Sequence, residues 1–386
     1  MYKHCKIIVI LCNLQGSWFI LGKSYQRVDL LDYLRGIMAL SVLVYHYTTW
    51  SEINLIYPFD QVVSRLGIYA VSAFYVLSGV SLAYVYFHKK VNVEFLKEFT
   101  IKRFFRIAPL VWVVTTATLV LAFISSSMPD LMTILLNYTL TFGWLSSDSY
   151  IATGAWSIGN ELVFYSFFPL MLYLITKSKK NFAVFGIFSV AVSFYISEVL
   201  INNSGTLTSE WTLYINPLNQ LYLFVGGFLI GYLLRRGVQV SHKILLPILA
   251  VSIVLFIFLP FSGHDRLLYV TGLNKVIFSL TIFGMSLFTA FWGNVKHNFT
   301  TNTLKYFGDI SYSVYLIHPL AYTSVNVVLE FLSIDDISVK ILLSVVITII
   351  TSTLVYKFIE RPFVKIGREV SSGIKKKQVD VKLKEA

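Results

Sequence analysis

The sequence is short of cysteine and of charge. Its two cysteines, Cys5 and Cys12, both lie near the N-terminus, which excludes a disulfide framework and a cysteine-built zinc site. Charged residues make up 13% of the chain, against roughly 25% in a soluble domain. Acidic residues are the scarcer sign, 20 against 32 Lys and Arg, for a net charge of +12. In an apolar chain such a surplus belongs to cytoplasmic loops, so no nucleic-acid partner is expected. No internal repeat and no low-complexity linker is detectable. What is abundant is apolar sequence: 56% of residues are hydrophobic and the mean hydropathy is +0.69. That composition points to a polytopic helical membrane protein, and the 386 residues are almost used up by spans and short loops. One membrane domain without an appended soluble catalytic domain is expected.

Apolar runs of spanning length fall at about 30–49, 67–87, 107–125, 157–176, 182–201, 214–234, 244–261, 272–293, 306–330 and 338–358. A further run, 131–144, is short and interrupted by Asn137, Tyr138, Thr139 and Thr141. Basic residues set the topology. Lys3, Lys6, Lys23, Arg27 and Arg35 precede the first span, and Lys89, Lys90, Lys97, Lys102, Arg103 and Arg106 fill the next alternate loop. Between them, residues 50–66 carry Glu52, Asp60 and Arg65. If 131–144 crossed, Lys177, Lys179, Lys180, Arg235, Arg236, Lys243 and Lys375–Lys377 would all lie outside; if it does not, all lie inside. The expected architecture is therefore all-α: a polytopic transmembrane helical bundle of about ten spans with both termini cytoplasmic. Residues 129–155 form an outward-side re-entrant or interfacial segment. Residues 1–26 read as an N-terminal extension, interfacial or poorly ordered, or as the product of a start codon assigned too far upstream. Residues 27–364 form the membrane domain and 365–386 a basic, solvated cytoplasmic tail.

Ionisable residues inside the spans carry the functional reading, because such groups are expensive in a bilayer. Arg35 and His46 share one segment, DLLDYLRGIMALSVLVYHY, residues 29–47. In a helix, about 100° per residue places both on one face, roughly 16 Å apart along the axis. With Arg35 at a membrane surface, His46 lies near mid-membrane, either functional or simply a neutral imidazole bonded to a neighbouring helix. Arg103 and Arg106, with Lys102 beside them, start the third span on the cytoplasmic side. They suit either positive-inside anchoring or a clamp on a phosphorylated donor such as a coenzyme A. Ser78 and Gly79 in the second span suit close helix packing. Trp156 and Ser157 open the fourth span at the outer face. Glu161 follows one turn in, with Tyr165 at i+4, and needs a partner or a cavity. In the ninth span Ser311 and His318 are nearly eclipsed, Tyr315 lies beside that face, and Pro319 kinks the helix and frees a carbonyl. Glu360 and Arg361 cap or pin the cytoplasmic end of the tenth span. No metal site is expected.

Read in order, Arg35-x10-His46, FYVLSG at 74–79, KRFFRIAP at 102–109, WSIGNE at 156–161 with Phe164 and Tyr165, SYSVYLIHP at 311–319 and ERPF at 360–363 resemble the acyltransferase-3 family of membrane acyltransferases, over residues 28–364. The resemblance implies transfer of an acyl group, usually acetyl, from cytoplasmic acyl-coenzyme A to an extracytoplasmic acceptor, most often a sugar hydroxyl. On that reading His46 serves as general base or transient acyl carrier, with Arg35 and Glu161 in the catalytic set. Arg103, Arg106 and Lys102 bind the donor, acetyl-coenzyme A. Ser78, Trp156, Ser157, Tyr165, Tyr315 and His318 line the cavity or acceptor side. The expected partners are a surface polysaccharide or lipid-linked sugar and membrane lipid, and the expected location is a bacterial inner membrane. The chain resembles the stand-alone type, lacking the extra span and esterase-like domain of some relatives. Trp50, Tyr57, Tyr138, Trp144 and Trp211 either stack on sugar rings or anchor at the interface. A multi-span transporter or flippase would use the same residue types, and would usually show repeated halves.

Overall fold

The computed structural model describes residues 28–259, 265–293 and 295–385, with side chains described to Gly373. The proposed N-terminal extension, 1–26, lies outside the described residues. Every regular element among the described residues is helical. In chain order they are α1 (Asp29–Trp50), α2 (Phe59–Tyr86), α3 (Val93–Ile124), the short α4 (Leu131–Tyr138) and α5 (Phe142–Leu145), α6 (Ala155–Lys177) and α7 (Lys179–Tyr195). There follow α8 (Trp211–Tyr214), α9 (Pro217–Arg235), α10 (His242–Phe258), α11 (Gly272–Phe291), α12 (Phe299–Phe331), α13 (Ile337–Val355) and α14 (Arg361–Glu385). A 3-10 turn at Arg266–Tyr269 precedes α11.

A helix stands at each of the ten expected span positions. Seven helices are long and apolar enough to cross a membrane: α2, α3, α6, α7 with its last turn, α8 joined to α9, α11, and α13 running on into α14. The remaining three differ for identifiable reasons. α10 is apolar but has 17 residues. α1 and α12 are long but carry acids, hydroxyls and imidazoles on the faces they turn to each other.

Residues 129–155 contain no helix long enough to cross: α4 and α5 have 8 and 4 residues, or about 12 and 6 Å of rise. Asn137 ties this stretch together from its buried position. Its amide donates to the carbonyls of Thr133 and Ser149 at 2.8 and 2.6 Å and accepts from the Ile151 N–H at 3.0 Å.

One departure from the sequence reading matters for the site. α3 begins at Val93, capped by the Asn92 side chain, so Lys102, Arg103 and Arg106 lie inside a 32-residue helix rather than at its start. Hydropathy marks the apolar part of a helix, not the amphipathic turns that precede it. The basic end of the chain is helical too, and most of its residues from Lys365 to Gly373 are exposed. α14 is continuous with α13 through a π turn at Tyr356–Glu360 and packs along α3. The Phe363 and Phe105 rings are 6.5 Å apart, Gly367 abuts Phe105, and Ser371 is buried.

Close packing by small residues fixes the frame. On α9, Gly227 and Gly231 lie directly against the backbone of Val76 and Val80 on α2. On α1 and α12, Gly36 and Gly308 meet backbone to backbone. Around α2 the core is filled by Leu77, Phe164, Phe168, Met171, Phe224 and Phe228, all fully buried.

Candidate functional site

The helices α1 and α12 bring His46 and His318 together, with His46 Nδ1 and His318 Nε2 2.9 Å apart. His318 is fully buried, and its Nδ1 lies 3.1 Å from the Val314 carbonyl. A carbonyl only accepts, so His318 Nδ1 carries the proton and its Nε2 is an acceptor. His46 Nδ1 must then donate, which leaves the lone pair of a neutral imidazole on His46 Nε2. Pro319 lacks an N–H, so the Tyr315 carbonyl loses its helical donor, and it too faces the His318 ring. The Tyr47 hydroxyl donates to the His318 carbonyl at 2.9 Å, fixing the backbone beneath the ring. Trp50 stacks on His46 at 4.5 Å, covering the pair at the end of α1.

From this pair a file of polar groups runs toward the Arg35 end of the bundle. One turn back along α12, Tyr315 donates to the Gly154 carbonyl at 3.2 Å and accepts from Ser157 at 2.8 Å. Gly154 has φ +85° and starts α6. A Cβ there would be strained, so glycine is what lets the chain turn into α6 beneath Tyr315. Another turn back, Tyr165 donates to Glu161 at 3.0 Å, and Ser78 lies 3.1 Å from the Tyr165 hydroxyl. The Arg106 and Arg103 guanidiniums act on Glu161 through space. Arg106 Nη1 donates to Glu360 at 3.2 Å, and the other Glu360 oxygen accepts from Ser313 at 3.0 Å. Arg103 stands over the rings of Phe99 and Tyr165, and its Nε is buried without a hydrogen-bond partner. At the same end, Arg35 donates to Asp32 at 2.8 Å and to Ser81 at 2.5 Å.

Each sequence-predicted residue can now be placed. His46 and His318 are in contact, and Tyr315 and Ser157 are joined one level below. Ser78, Tyr165 and Glu161 form a second group, linked to Arg103 and Arg106. Glu161 was expected near the outer face, orienting the acceptor or a histidine. It lies instead on the arginine side, because α6 starts at the level of Tyr315, already below the histidines. Arg35 does not touch His46; the pair marks the two ends of one helix face. Lys102 is paired with Glu98 at 2.7 Å. Trp156 is buried, packing against Trp211 and Tyr214 at 5.5 and 5.9 Å. No group of three metal-ligating side chains occurs among the described residues.

Arg266 was not anticipated. It donates to the Tyr45 hydroxyl at 2.6 Å, stacks over that ring at 5.0 Å, and its charge reaches His46. It opens the 3-10 turn before α11 and belongs to none of the motifs, so no pattern in the sequence pointed to it.

Comparison with known proteins agrees with the motifs. A family model described as "Acyltransferase domain" matches residues 28–357. Three Staphylococcus aureus proteins, from strains COL, MSSA476 and MRSA252, each bear the name "Putative O-acetyltransferase". Each is 25% identical to this chain over 380 residues, covering 89% of it and 58% of the relative. The chain thus spans little more than half the length of these relatives. No solved structure matches.

Proposed function

The chain belongs to this acyltransferase family, and we propose that it transfers an acetyl group from cytoplasmic acetyl-coenzyme A to a hydroxyl of an extracytoplasmic glycan. The acceptor is a surface polysaccharide or its lipid-linked unit. The setting is a bacterial inner membrane crossed by ten spans, with both termini cytoplasmic. The names of the Staphylococcus aureus relatives support the O-acetyl assignment.

The observation that carries this reading is the histidine pair. The unprotonated His46 Nε2 takes the proton of the acceptor hydroxyl as its oxygen attacks the thioester carbonyl. The tetrahedral intermediate collapses with loss of the coenzyme A thiolate, which receives the same proton back from the imidazolium. The ester and free coenzyme A are the products. His318 holds the His46 tautomer through the 2.9 Å bond. The donor's phosphates are held by Arg103 and Arg106. Its acyl-pantetheine arm follows the file past Tyr165 and Tyr315 to His46.

The test is transfer of label from radiolabelled acetyl-coenzyme A in membranes, comparing wild type with His46→Ala and Arg35→Ala at matched protein levels. Label in surface glycan with wild type, lost with His46→Ala, is the expected result. Equal labelling by His46→Ala removes this histidine from the chemistry. No labelling by wild type removes acetyl-coenzyme A as the donor.

A further inference from the structure

The turn before α11 carries a cation that the chemistry above leaves unused. Asp265 caps this 3-10 turn, accepting from the N–H groups of Leu207 and Leu267 at 2.8 and 2.7 Å. Leu267, Tyr269 and Val270 are buried, and the Tyr69 hydroxyl donates to the Tyr269 carbonyl. The turn is thereby fixed. It holds the half-buried Arg266 over the Tyr45 ring at 5.0 Å, with Nη1 donating to the Tyr45 hydroxyl at 2.6 Å. The ring also packs on Gly67 of α2, where a Cβ would strike it.

Two polar groups are left incomplete by this arrangement. Among the described residues no carboxylate pairs with Arg266, and its neighbour Asp265 is turned into the cap. The Tyr45 hydroxyl accepts from Arg266, and no acceptor for its own proton occurs among the described residues. Tyr45 is therefore an O–H donor, strengthened by the guanidinium bonded to its oxygen. It lies beside the proposed base. The rings packed against His46 are Tyr45 at 5.0 Å, Trp50 and His318. Trp50 stacks on the imidazole and His318 accepts from Nδ1, which leaves Tyr45 as the hydroxyl next to it. A carbonyl oxygen under attack stands roughly 5 Å from the base, one hydrogen bond and two covalent bonds away. A tyrosine at this spacing spans that gap.

We propose that the Tyr45 hydroxyl donates to the thioester carbonyl oxygen as it becomes an oxyanion, with Arg266 as the positioning residue that orients and polarises it. This rests on the reading of His46 as base given above. The acceptor oxygen's electron pair forms the new C–O bond, and the carbonyl π pair moves onto the oxygen that Tyr45 holds. That pair returns to carbon as the C–S bond breaks and the thiolate leaves, and no proton leaves Tyr45. Its hydrogen bond is stronger to the oxyanion than to the neutral carbonyl, so it raises kcat without tightening donor binding.

The experiment is the labelled acetyl-coenzyme A transfer assay at matched protein levels, with melting temperatures in detergent. The variants are Tyr45→Phe, Arg266→Gln, Arg266→Lys and the double change Tyr45→Phe with Arg266→Gln. Tyr45→Phe keeps the ring on Gly67 and should lower kcat about 100-fold, with donor KM and melting temperature unchanged. Arg266→Gln should lower kcat about tenfold, and Arg266→Lys, whose ammonium can donate to the same hydroxyl, should recover part of that loss. The double change should be no worse than Tyr45→Phe alone, because Arg266 acts through the hydroxyl. An unchanged kcat in Tyr45→Phe, with His46→Ala inactive, overturns this proposal and leaves the base reading standing. A loss of kcat matched by a fall in melting temperature makes the pair a packing element and also overturns it. Losses that multiply in the double change overturn the positioning role of Arg266. An active His46→Ala, or no transfer by wild type, overturns the reading of the reaction and this proposal together.

Discussion

Gly36 and Gly308 touch backbone to backbone, and each stands ten residues before a histidine of the pair, His46 on α1 and His318 on α12. Both helices run the same way from that contact, so equal steps of about 15 Å bring the two imidazoles to one level. A Cβ on Gly308 would strike the Asp32 carbonyl. Gly308→Val should therefore force α1 and α12 apart, cost about 1–3 kcal/mol, and lower acetyl transfer more than tenfold. Thermal melting in detergent and the labelled-donor assay measure the two effects.

The histidines are not equivalent. His46→Ala removes the proposed base and should lower kcat by about 10²–10⁴. His318→Ala leaves the base in place but frees its tautomer, and should cost about 10–100-fold. His318→Gln, whose amide oxygen can accept from His46 Nδ1, should recover part of that loss. Equal losses for His46→Ala and His318→Ala, with no recovery by glutamine, would contradict the proposed division of roles.

The motifs placed both histidines near mid-depth of one bundle, because a 3.6-residue period and a fixed rise turn spacing into depth. They could not say that the rings touch, since that depends on Gly36 meeting Gly308 across more than 270 residues of sequence. The same limit applies to Glu161. Its distance from the outer face was reckoned from the start of a span, but α6 starts at the level of Tyr315, where Gly154 allows the chain to turn. Arg65 shows the converse error. Counted as a loop charge, it is fully buried and caps α10. Positive-inside counting weighs charges without seeing which are internal.

Arg65 offers a stability test free of the chemistry. Its guanidinium donates to the carbonyls of Phe256, Ile257 and Leu259 at 2.9, 3.0 and 2.6 Å, the orphan acceptors at the end of α10. Arg65→Ala leaves them unpaired in an apolar setting and should cost about 3 kcal/mol. Because the group is buried, the loss in melting temperature should be nearly independent of salt.

Arg103 and Arg106 should separate binding from folding. Arg103→Gln removes a cation whose contacts are two aromatic rings, so the donor KM should rise about tenfold with little change in melting temperature. Arg106→Gln should raise KM as well, but it also strips the partner from Glu360, which is 3% exposed. The Arg106 side chain is itself 42% exposed and Ser313 still donates to Glu360, so breaking the pair from this side costs about 1–3 kcal/mol. The double change Arg106→Gln with Glu360→Gln should restore stability without restoring donor affinity, which melting and coenzyme A titration of the same samples would show.

Glu161 gives the sharpest sign test, because its charge opposes the donor's. Its carboxylate accepts from Tyr165 and faces Arg106 and Arg103. In the resting site it tempers their mutual repulsion; with a polyphosphate bound, it repels the ligand instead. At an effective dielectric near 20, unit charges across such a site interact with on the order of a few kcal/mol, and screening by water and salt reduces this to about 1 kcal/mol. Glu161→Gln keeps the Tyr165 hydrogen bond and removes the charge. It should tighten coenzyme A binding about fivefold, lower the donor KM, and lower kcat because the product coenzyme A leaves more slowly. Product-inhibition constants for coenzyme A would fall in step with KM. A carboxylate that instead orients the acceptor predicts the opposite pattern: an unchanged coenzyme A constant and a raised acceptor KM. Measuring both constants on one variant therefore decides whether Glu161 serves the donor end of the file or the acceptor end.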